Sequence, residues 1–232
     1  CTATATDTDT GSASDTASAT VLNTNPTVDS VTLSASSGKV GDSLTCSATA
    51  SDADGGSPTL SYEWTNGAST VGSTATYTLQ ASDDPGDTLT CTATATDTDS
   101  GTDVESTAAT VLNTDPTVDT IALSASSGQV GDSLTCTATA SDADGGSPSI
   151  SYAWTNGSTA VGSNATYTLQ ASDDPGDTLT CTATATDTDT GSGTDTASAT
   201  VDNTNPTVDS VTLSASSGQV GDSLTCTATA SD

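Results

Sequence analysis

The six cysteines of this chain stand at Cys1, Cys46, Cys91, Cys136, Cys181 and Cys226, a constant step of 45 residues along a sequence of 232. No insertion breaks the step, so whatever one copy folds into, every copy folds into. Two kinds of copy alternate. Cys46, Cys136 and Cys226 lead into Ala-Thr-Ala-Ser-Asp, whereas Cys1, Cys91 and Cys181 lead into Thr-Ala-Thr-Ala-Thr-Asp-Thr-Asp. The full repeat is therefore 90 residues with an internal half-repeat, and Trp64 and Trp154, Tyr62 and Tyr152, Tyr77 and Tyr167, and Pro26, Pro116 and Pro206 all keep its register. Ninety residues is too long for one coil of a solenoid and suits a whole small domain. The expected organisation is part of one repeat over 1–25, complete repeats over 26–115 and 116–205, and part of a fourth over 206–232, so the sequence reads as a window on a longer polypeptide.

Within each repeat the hydrophobic period is two. Apolar residues alternate at Val31 and Leu33; Leu44, Cys46, Ala48 and Ala50; Leu60, Tyr62 and Trp64; Ala75, Tyr77 and Leu79; Leu89, Cys91, Ala93 and Ala95; and Ala109 and Val111. Short alternating runs rich in Thr and Val, cut by Gly, Pro, Asp and Ser, predict half-buried antiparallel strands and no helix. Six or seven strands in 90 residues predict an all-β chain of tandem β-sandwiches.

Composition tests that reading. The chain is 31% hydrophobic and 3% aromatic, lacks Phe, Met and His, and carries a formal charge of −29 with Lys39 as its one basic side chain. Such a balance ordinarily describes a disordered chain, and only the strict repeat and the cysteines argue for a fold. The charge sets nucleic acid and anionic membranes aside as partners, since both are bound through Lys and Arg. No apolar run approaches the ~20 residues needed to cross a bilayer as a helix. Lys39 is replaced by Gln129 and Gln219 in the later repeats, which excludes a repeat-wide lysine crosslink.

The order Cys46, Trp64, Cys91 makes the sandwich specific. It resembles the immunoglobulin pattern, in which cysteines on strands B and F bridge two sheets and a Trp on strand C packs on the bridge. Leu89 stands where an antibody domain has the Tyr of a tyrosine corner, so the resemblance is to bacterial-type immunoglobulin-like repeats. The Asp-rich loops and the Asn-Thr-Asn-Pro and Asn-Thr-Asp-Pro linkers look like tandem cadherin-like or PKD-like repeats of extracellular surface proteins. The resemblance implies disulfides Cys46–Cys91 and Cys136–Cys181, with partners for Cys1 and Cys226 outside the window. With no CxxC and no His, the ligand sets that zinc requires are missing. Disulfides imply an oxidising, extracellular setting. Because the inward positions beyond each cysteine are Ala, the core is thin, and a bridge closing a 45-residue loop is assigned about 4 kcal/mol in the chain-entropy model.

The immunoglobulin topology also implies that the B–C and F–G loops emerge at one end. Asp52 and Asp54 are then expected to meet Asp97 and Asp99, and Asp142 and Asp144 to meet Asp187 and Asp189. The linker residues Asn23 and Asn25, or Asn113 and Asp115, and the E–F loop of the preceding repeat, with Asp83, Asp84 and Asp87, are expected to join them. Such a shell of oxygens suits Ca²⁺, which takes about six to eight oxygen ligands. The alternative is that these are solvated turn residues, since Asp favours turns by bonding its own backbone.

The outward residues Thr88, Thr90, Thr92, Thr94 and Thr96 form a row that either hydrogen-bonds across strands or carries O-linked sugar. Asn-X-Ser/Thr sequons occur at Asn156 and Asn164, with no counterpart in the preceding repeat. Enzymatic chemistry is not expected: carboxylates are the only candidate acids and bases, and identical Asp pairs in each repeat read as structural. Two functions remain. One is a structural stalk or filament whose partners are neighbouring repeats and other copies of the chain. The other is an adhesion module binding glycan or protein, for which surface aromatic or Arg anchors would be expected.

Overall fold

The alternation of inward apolar and outward Thr residues builds twenty strands and no helix in the computed structural model, which describes residues 1–232. The chain divides into two compact units, Cys1–Leu112 and Asn113–Asp232. The linker Asn113–Asp115, grouped above with the preceding repeat, thus clusters with the following one. It does so because its polar groups are hydrogen-bonded to the loops of that sandwich.

In the first unit, β1 (Thr2–Thr6) and β2 (Ser12–Thr16) form an antiparallel hairpin. A complete sandwich follows, made of β3 (Thr27–Leu33), β4 (Ser37–Gly38), β5 (Ser43–Ser51), β6 (Thr59–Asn66), β7 (Ser69–Gly72), β8 (Thr76–Thr78), β9 (Thr88–Thr96) and β10 (Thr102–Val111). One sheet has the order β4-β10-β9-β6-β7 and the other β3-β5-β8. The second unit repeats this with β11 (Thr117–Leu123), β12 (Ser127–Gly128), β13 (Ser133–Ser141), β14 (Ser149–Asn156), β15 (Thr159–Gly162), β16 (Thr166–Thr168), β17 (Thr178–Thr186) and β18 (Ser192–Val201). Its sheets run β12-β18-β17-β14-β15 and β11-β13-β16, and a hairpin of β19 (Thr207–Leu213) and β20 (Cys226–Ser231) ends the unit. This is an immunoglobulin-like arrangement with β5 and β13 as strand B and β9 and β17 as strand F. Each sandwich has two strands that the alternation did not reveal: the two-residue β4, parallel to the end of β10, and β7, whose one large apolar residue is Val71.

The bridge crosses the two sheets at the centre. Cys46 joins Cys91 and Cys136 joins Cys181, each over a Cα–Cα distance of 6.5 Å. Trp64 lies directly across from Cys91 in the β6–β9 register and is fully buried. Its indole stacks on Tyr77 with ring centroids 5.7 Å apart, and its Nε1–H donates to the Thr74 carbonyl at 3.0 Å. Leu89, Cys91, Ala93 and Ala95 are all buried along β9, while Ala48 and Ala50 on β5 are only half-buried. A bulge between Val28 and Ser30 shifts the pleat of β3, so that Val28, Val31 and Leu33 all turn towards the core despite their odd spacing.

A polar knot closes the end of the sandwich where the E–F loop meets β6. Asp83, 1% exposed, accepts from the Tyr77 hydroxyl at 2.8 Å, the Gln80 amide at 2.9 Å and Asn66 Nδ2 at 3.2 Å. Asn66 Nδ2 also donates to Asp87 at 2.6 Å, which ties the E–F loop to the end of β6. Asp173, Tyr167, Asn156 and Asp177 repeat the knot. Burial, then the hydrogen bond to Asp83 and its charge, push the Tyr77 phenol up to about 12, and Tyr167 likewise beside Asp173.

Two tests follow from this core. The Cys46→Ala/Cys91→Ala variant is expected to lose roughly 2–5 kcal/mol in the first sandwich, read as an earlier urea transition while that of the second sandwich stays in place. Because the folded tyrosines ionise above their ordinary value near ~10, their stabilising effect is complete below pH ~10 and is lost as pH rises towards the folded value. Urea midpoints should therefore fall between those limits, and Tyr77→Phe should flatten that slope for the first sandwich.

Candidate functional site

The turn Asp97-Thr98-Asp99-Ser100-Gly101 joins β9 to β10 and is organised by one carboxylate. Asp97 Oδ1 accepts from the amides of Asp99 at 2.9 Å and Gly101 at 2.7 Å, while the Asp97 amide donates to the Gly101 carbonyl at 3.1 Å. Ser100 takes the left-handed conformation with φ of 73°, as do Thr190 and Thr10 in the matching turns. The other oxygen, Asp97 Oδ2, reaches out of the turn and accepts from Asn23 Nδ2 at 3.0 Å. The turn after β5 works in the same way: Asp52 Oδ1 accepts from the Asp54 amide at 3.0 Å, and Asp54 Oδ2 accepts from the Thr24 amide. Both loops therefore grip the same linker, one at Asn23 and one at Thr24.

Gly101 makes that approach possible. A Cβ there would collide with the Asp97 carboxylate and stand 2.8 Å from both Asn23 Nδ2 and Asn25 Oδ1. In the second unit Gly191 is enclosed by Asp187, Asn113 and Asp115 in the same way, with Asn113 Nδ2 at 2.5 Å and Asp115 Oδ1 at 2.8 Å from the missing Cβ. Asp187 Oδ2 accepts from Asn113 Nδ2 at 3.0 Å, and Asp144 Oδ2 from the Thr114 amide.

Here the site is more closed. Asp144 is 7% exposed, and Asp144 Oδ1, Asn113 Oδ1 and Thr114 Oγ1 are buried without any hydrogen-bond partner. Buried polar atoms are nearly always paired, so three orphaned oxygens within one linker and the loop that grips it are a marked departure. Every one is an acceptor of the hard type that Ca²⁺ favours.

The two loops thus bond to the linker, Asp97 to Asn23 and Asp54 to Thr24, and form no carboxylate cluster. No group of three or more His, Cys, Asp or Glu side chains is placed to hold a metal ion. Asp52 and Asp142 are spent on their own turns, and Asp99 and Asp189 are exposed at the turn tips. Asp83 is taken up by the knot inside its own sandwich, while the Asp84 carboxylate is exposed. In the second unit the equivalent E–F residues Asp174 and Pro175, the linker residues Asp202 and Asn203, and Asp232 after β20 line one cleft of ≈ 280 Å³. Gln129 Nε2 donates to the Asn203 carbonyl at 2.7 Å and holds that linker against the same sandwich.

Of the threonine row, Thr88 is exposed and Thr90, Thr92, Thr94 and Thr96 are half-buried between flanking strands. Hydroxyls do pair across strands, as in Ser30 with Thr49 at 2.7 Å, Thr120 with Thr139 at 2.7 Å and Thr180 with Ser198 at 3.0 Å. Sequence reasoning missed three pairs: Thr24 and Thr114 and also Gly101 and Gly191 at the linker, and, in the knot at Asp83 and Asp173, the role of Asn66 and Asn156. The signal for the first was the invariance of Thr between the two Asx positions of every linker.

No protein-family model and no curated protein sequence matches the chain. Among solved structures, it is similar to the ICAM-5 D1–D4 ectodomain fragment at 16% identity and a TM-score of 0.47, covering 81% of this chain and 56% of that one. It is similar to a tetra-tandem repeat from the extending region of a large adhesion protein at 19% identity and 0.32, covering 99% and 69%. It is also similar to Drosophila N-cadherin EC1-4 at 17% identity and 0.35, covering 78% and 50%. The chain spans about half the length of the ICAM-5 and N-cadherin fragments. Strand order and disulfides carry the fold independently of these likenesses.

The Asp97 carboxyl is held below its ordinary range chiefly by the Asn23 amide, against the upward push of desolvation and with help from the backbone N–H groups of Gly101, Asp99 and Ser100. Asp187 is lowered in the same way, first by Asn113. A depressed carboxyl contributes stability that is complete above the ordinary aspartate value near ~3.9 and lost as pH falls through the folded value. A carboxyl-carbon NMR titration is expected to show Asp97 and Asp187 protonating below that value, with Asn23→Ala moving Asp97 upward and leaving Asp187 unmoved.

Proposed function

We propose that the chain is a repeat segment of an extracellular structural stalk or filament, in which Ca²⁺ bound at the linker end of a sandwich stiffens the joint. The observation that carries the cation is the set of buried, unpartnered oxygens on Asn113, Thr114 and Asp144. In the second unit these three, with Asp115 and Asp187 alongside, would hold it. Bound there, Ca²⁺ would supply positive charge to oxygens that otherwise lack a partner and would offset like-charge repulsion in a chain of formal charge −29. The matching residues Asn23, Asn25, Asp54 and Asp97 offer a more open version.

The extracellular setting is supported by the disulfides, which persist in oxidising compartments. The structural role is supported by what the surface lacks as recognition chemistry. Trp64 and Trp154 are fully buried, Tyr77 and Tyr167 are 9% and 8% exposed, Tyr62 and Tyr152 are half-buried against the core, and the chain has no Arg. Recognition surfaces are commonly anchored by those residue types, so reach and stiffness fit the chain better than ligand binding does. Other copies of the chain are the natural partners of such a stalk.

Thermal melting with Ca²⁺ and with EDTA tests this directly. At a Ca²⁺ concentration 100 times Kd, binding adds about 2.7 kcal/mol, which corresponds to a rise of about 11–22 °C for a domain of this size. Asp144→Ala should remove the rise in the second sandwich. A melting curve indifferent to EDTA would overturn the calcium assignment, and globular particles instead of rods in negative-stain images would overturn the stalk.

A further inference from the structure

The two sequons of the second sandwich, Asn156-Gly157-Ser158 and Asn164-Ala165-Thr166, have no sequon counterparts in the first. The structure gives them opposite roles. Asn156 ends β14 and is half-buried, and its Nδ2 donates to Asp173 at 3.0 Å and Asp177 at 2.7 Å. Asp173, 2% exposed, also receives the Tyr167 hydroxyl at 2.8 Å and the Gln170 amide at 2.8 Å. Any substituent on that nitrogen would displace two carboxylates from a buried knot. Asn66 makes the same bonds in the first sandwich, where Ala68 leaves no sequon. The knot therefore explains Asn156 completely, and its sequon is a by-product of Ser158.

Asn164 has no such duty. Its backbone carbonyl accepts from Trp154 Nε1 at 2.9 Å, a task that the carbonyl of Thr74 performs in the first sandwich without needing an asparagine. The Asn164 side chain is exposed on the short loop between β15 and β16. The sequon hydroxyl of Thr166 is exposed as well and lies 3.2 Å from Thr135 Oγ1. The strands on either side are edges, β15 pairing only with β14 and β16 only with β13. Neither free edge has a neighbouring strand of its own sheet to crowd a large substituent, and such edges are places that proteins commonly protect.

We infer that Asn164 is an N-glycan acceptor and that Asn156 is not. The inference rests on the extracellular reading for its occurrence in the cell, but the acceptor geometry does not depend on it. In the transfer, Asn164 Nδ2 bonds to the anomeric carbon of a polyprenyl-diphosphate-linked oligosaccharide. The bond from that carbon to the diphosphate oxygen breaks, its electron pair leaves with the lipid diphosphate, and one amide proton passes to a base.

The test uses folded, disulfide-intact protein, an oligosaccharyltransferase and the lipid-linked oligosaccharide, with a Gly-Ser-Asn-Ala-Thr peptide as positive control. Intact mass is expected to rise by one oligosaccharide, to rise equally in Ser158→Ala, and to stay unchanged in Asn164→Gln. An unchanged mass of the parent protein while the peptide is modified would overturn the assignment. So would a modification that vanishes with Ser158→Ala and survives in Asn164→Gln. Because the assay is done on purified protein, its failure is distinct from failure of the stalk reading, which microscopy decides.

Discussion

Each sandwich depends on the contact of one tryptophan with one disulfide. Trp64 stands across from Cys91 in the register, Cys91 is bonded to Cys46 in the opposite sheet, and the indole is sealed on its other side by Tyr77. Leu44, Leu79, Leu89 and Val111 pack with this group, and beyond them the inward residues shrink to Ala93, Ala95 and Ala109. An Ala contributes far less transfer free energy than the roughly 1.5–3 kcal/mol of a buried Leu or Val. A covalent bridge that reduces the entropy of the unfolded chain, together with one large aromatic side chain, offsets that shortage. This is how a sequence whose composition resembles a disordered chain builds a core at all.

The aspartates solve a related problem. In a chain of formal charge −29, carboxylates placed at random would only repel. At the turns, however, they are used as acceptors for backbone amides: Asp97 for Asp99 and Gly101, Asp52 for Asp54, and Asp54 for the Thr24 amide of the linker. Hydrogen bonds to ionised groups are stronger than neutral ones, so the same carboxylates that give the chain its charge also shape its loops. At the buried Asp144 this arrangement is incomplete, since one carboxylate oxygen has an amide and the other has nothing. The asymmetry within a single carboxylate is what separates the linker end from the knot at Asp83, where both oxygens are satisfied.

Much of this was legible in the sequence because a period of two along short segments leaves few alternatives. The strands bearing Leu44–Ala50, Leu60–Trp64 and Leu89–Ala95 could be read directly, as could the pairing implied by the Cys-Trp-Cys order. The strands β4 and β7 could not be read, because their residues are small or exposed and pairing with a neighbour alone makes them strands. Nor could the fate of the individual aspartates. Asp52, Asp54, Asp83 and Asp99 look equivalent as letters, yet one closes a turn, one holds a linker, one is buried in a knot and one faces solvent.

The sequence by itself determined the repeat and the alternation. These are properties of spacing, and spacing along a strand translates directly into facing, whereas the bridging pairs followed from the resemblance of the Cys-Trp-Cys order to the immunoglobulin pattern. Only the tertiary structure decided which oxygens are satisfied. That depends on which amide comes within hydrogen-bonding distance after the loops close, as Gly101 and Gly191 allow them to do. It also decided between two sequons of equal appearance. Asn156 lies within reach of Asp173 and Asp177, whereas Asn164 offers only its backbone carbonyl to the fold.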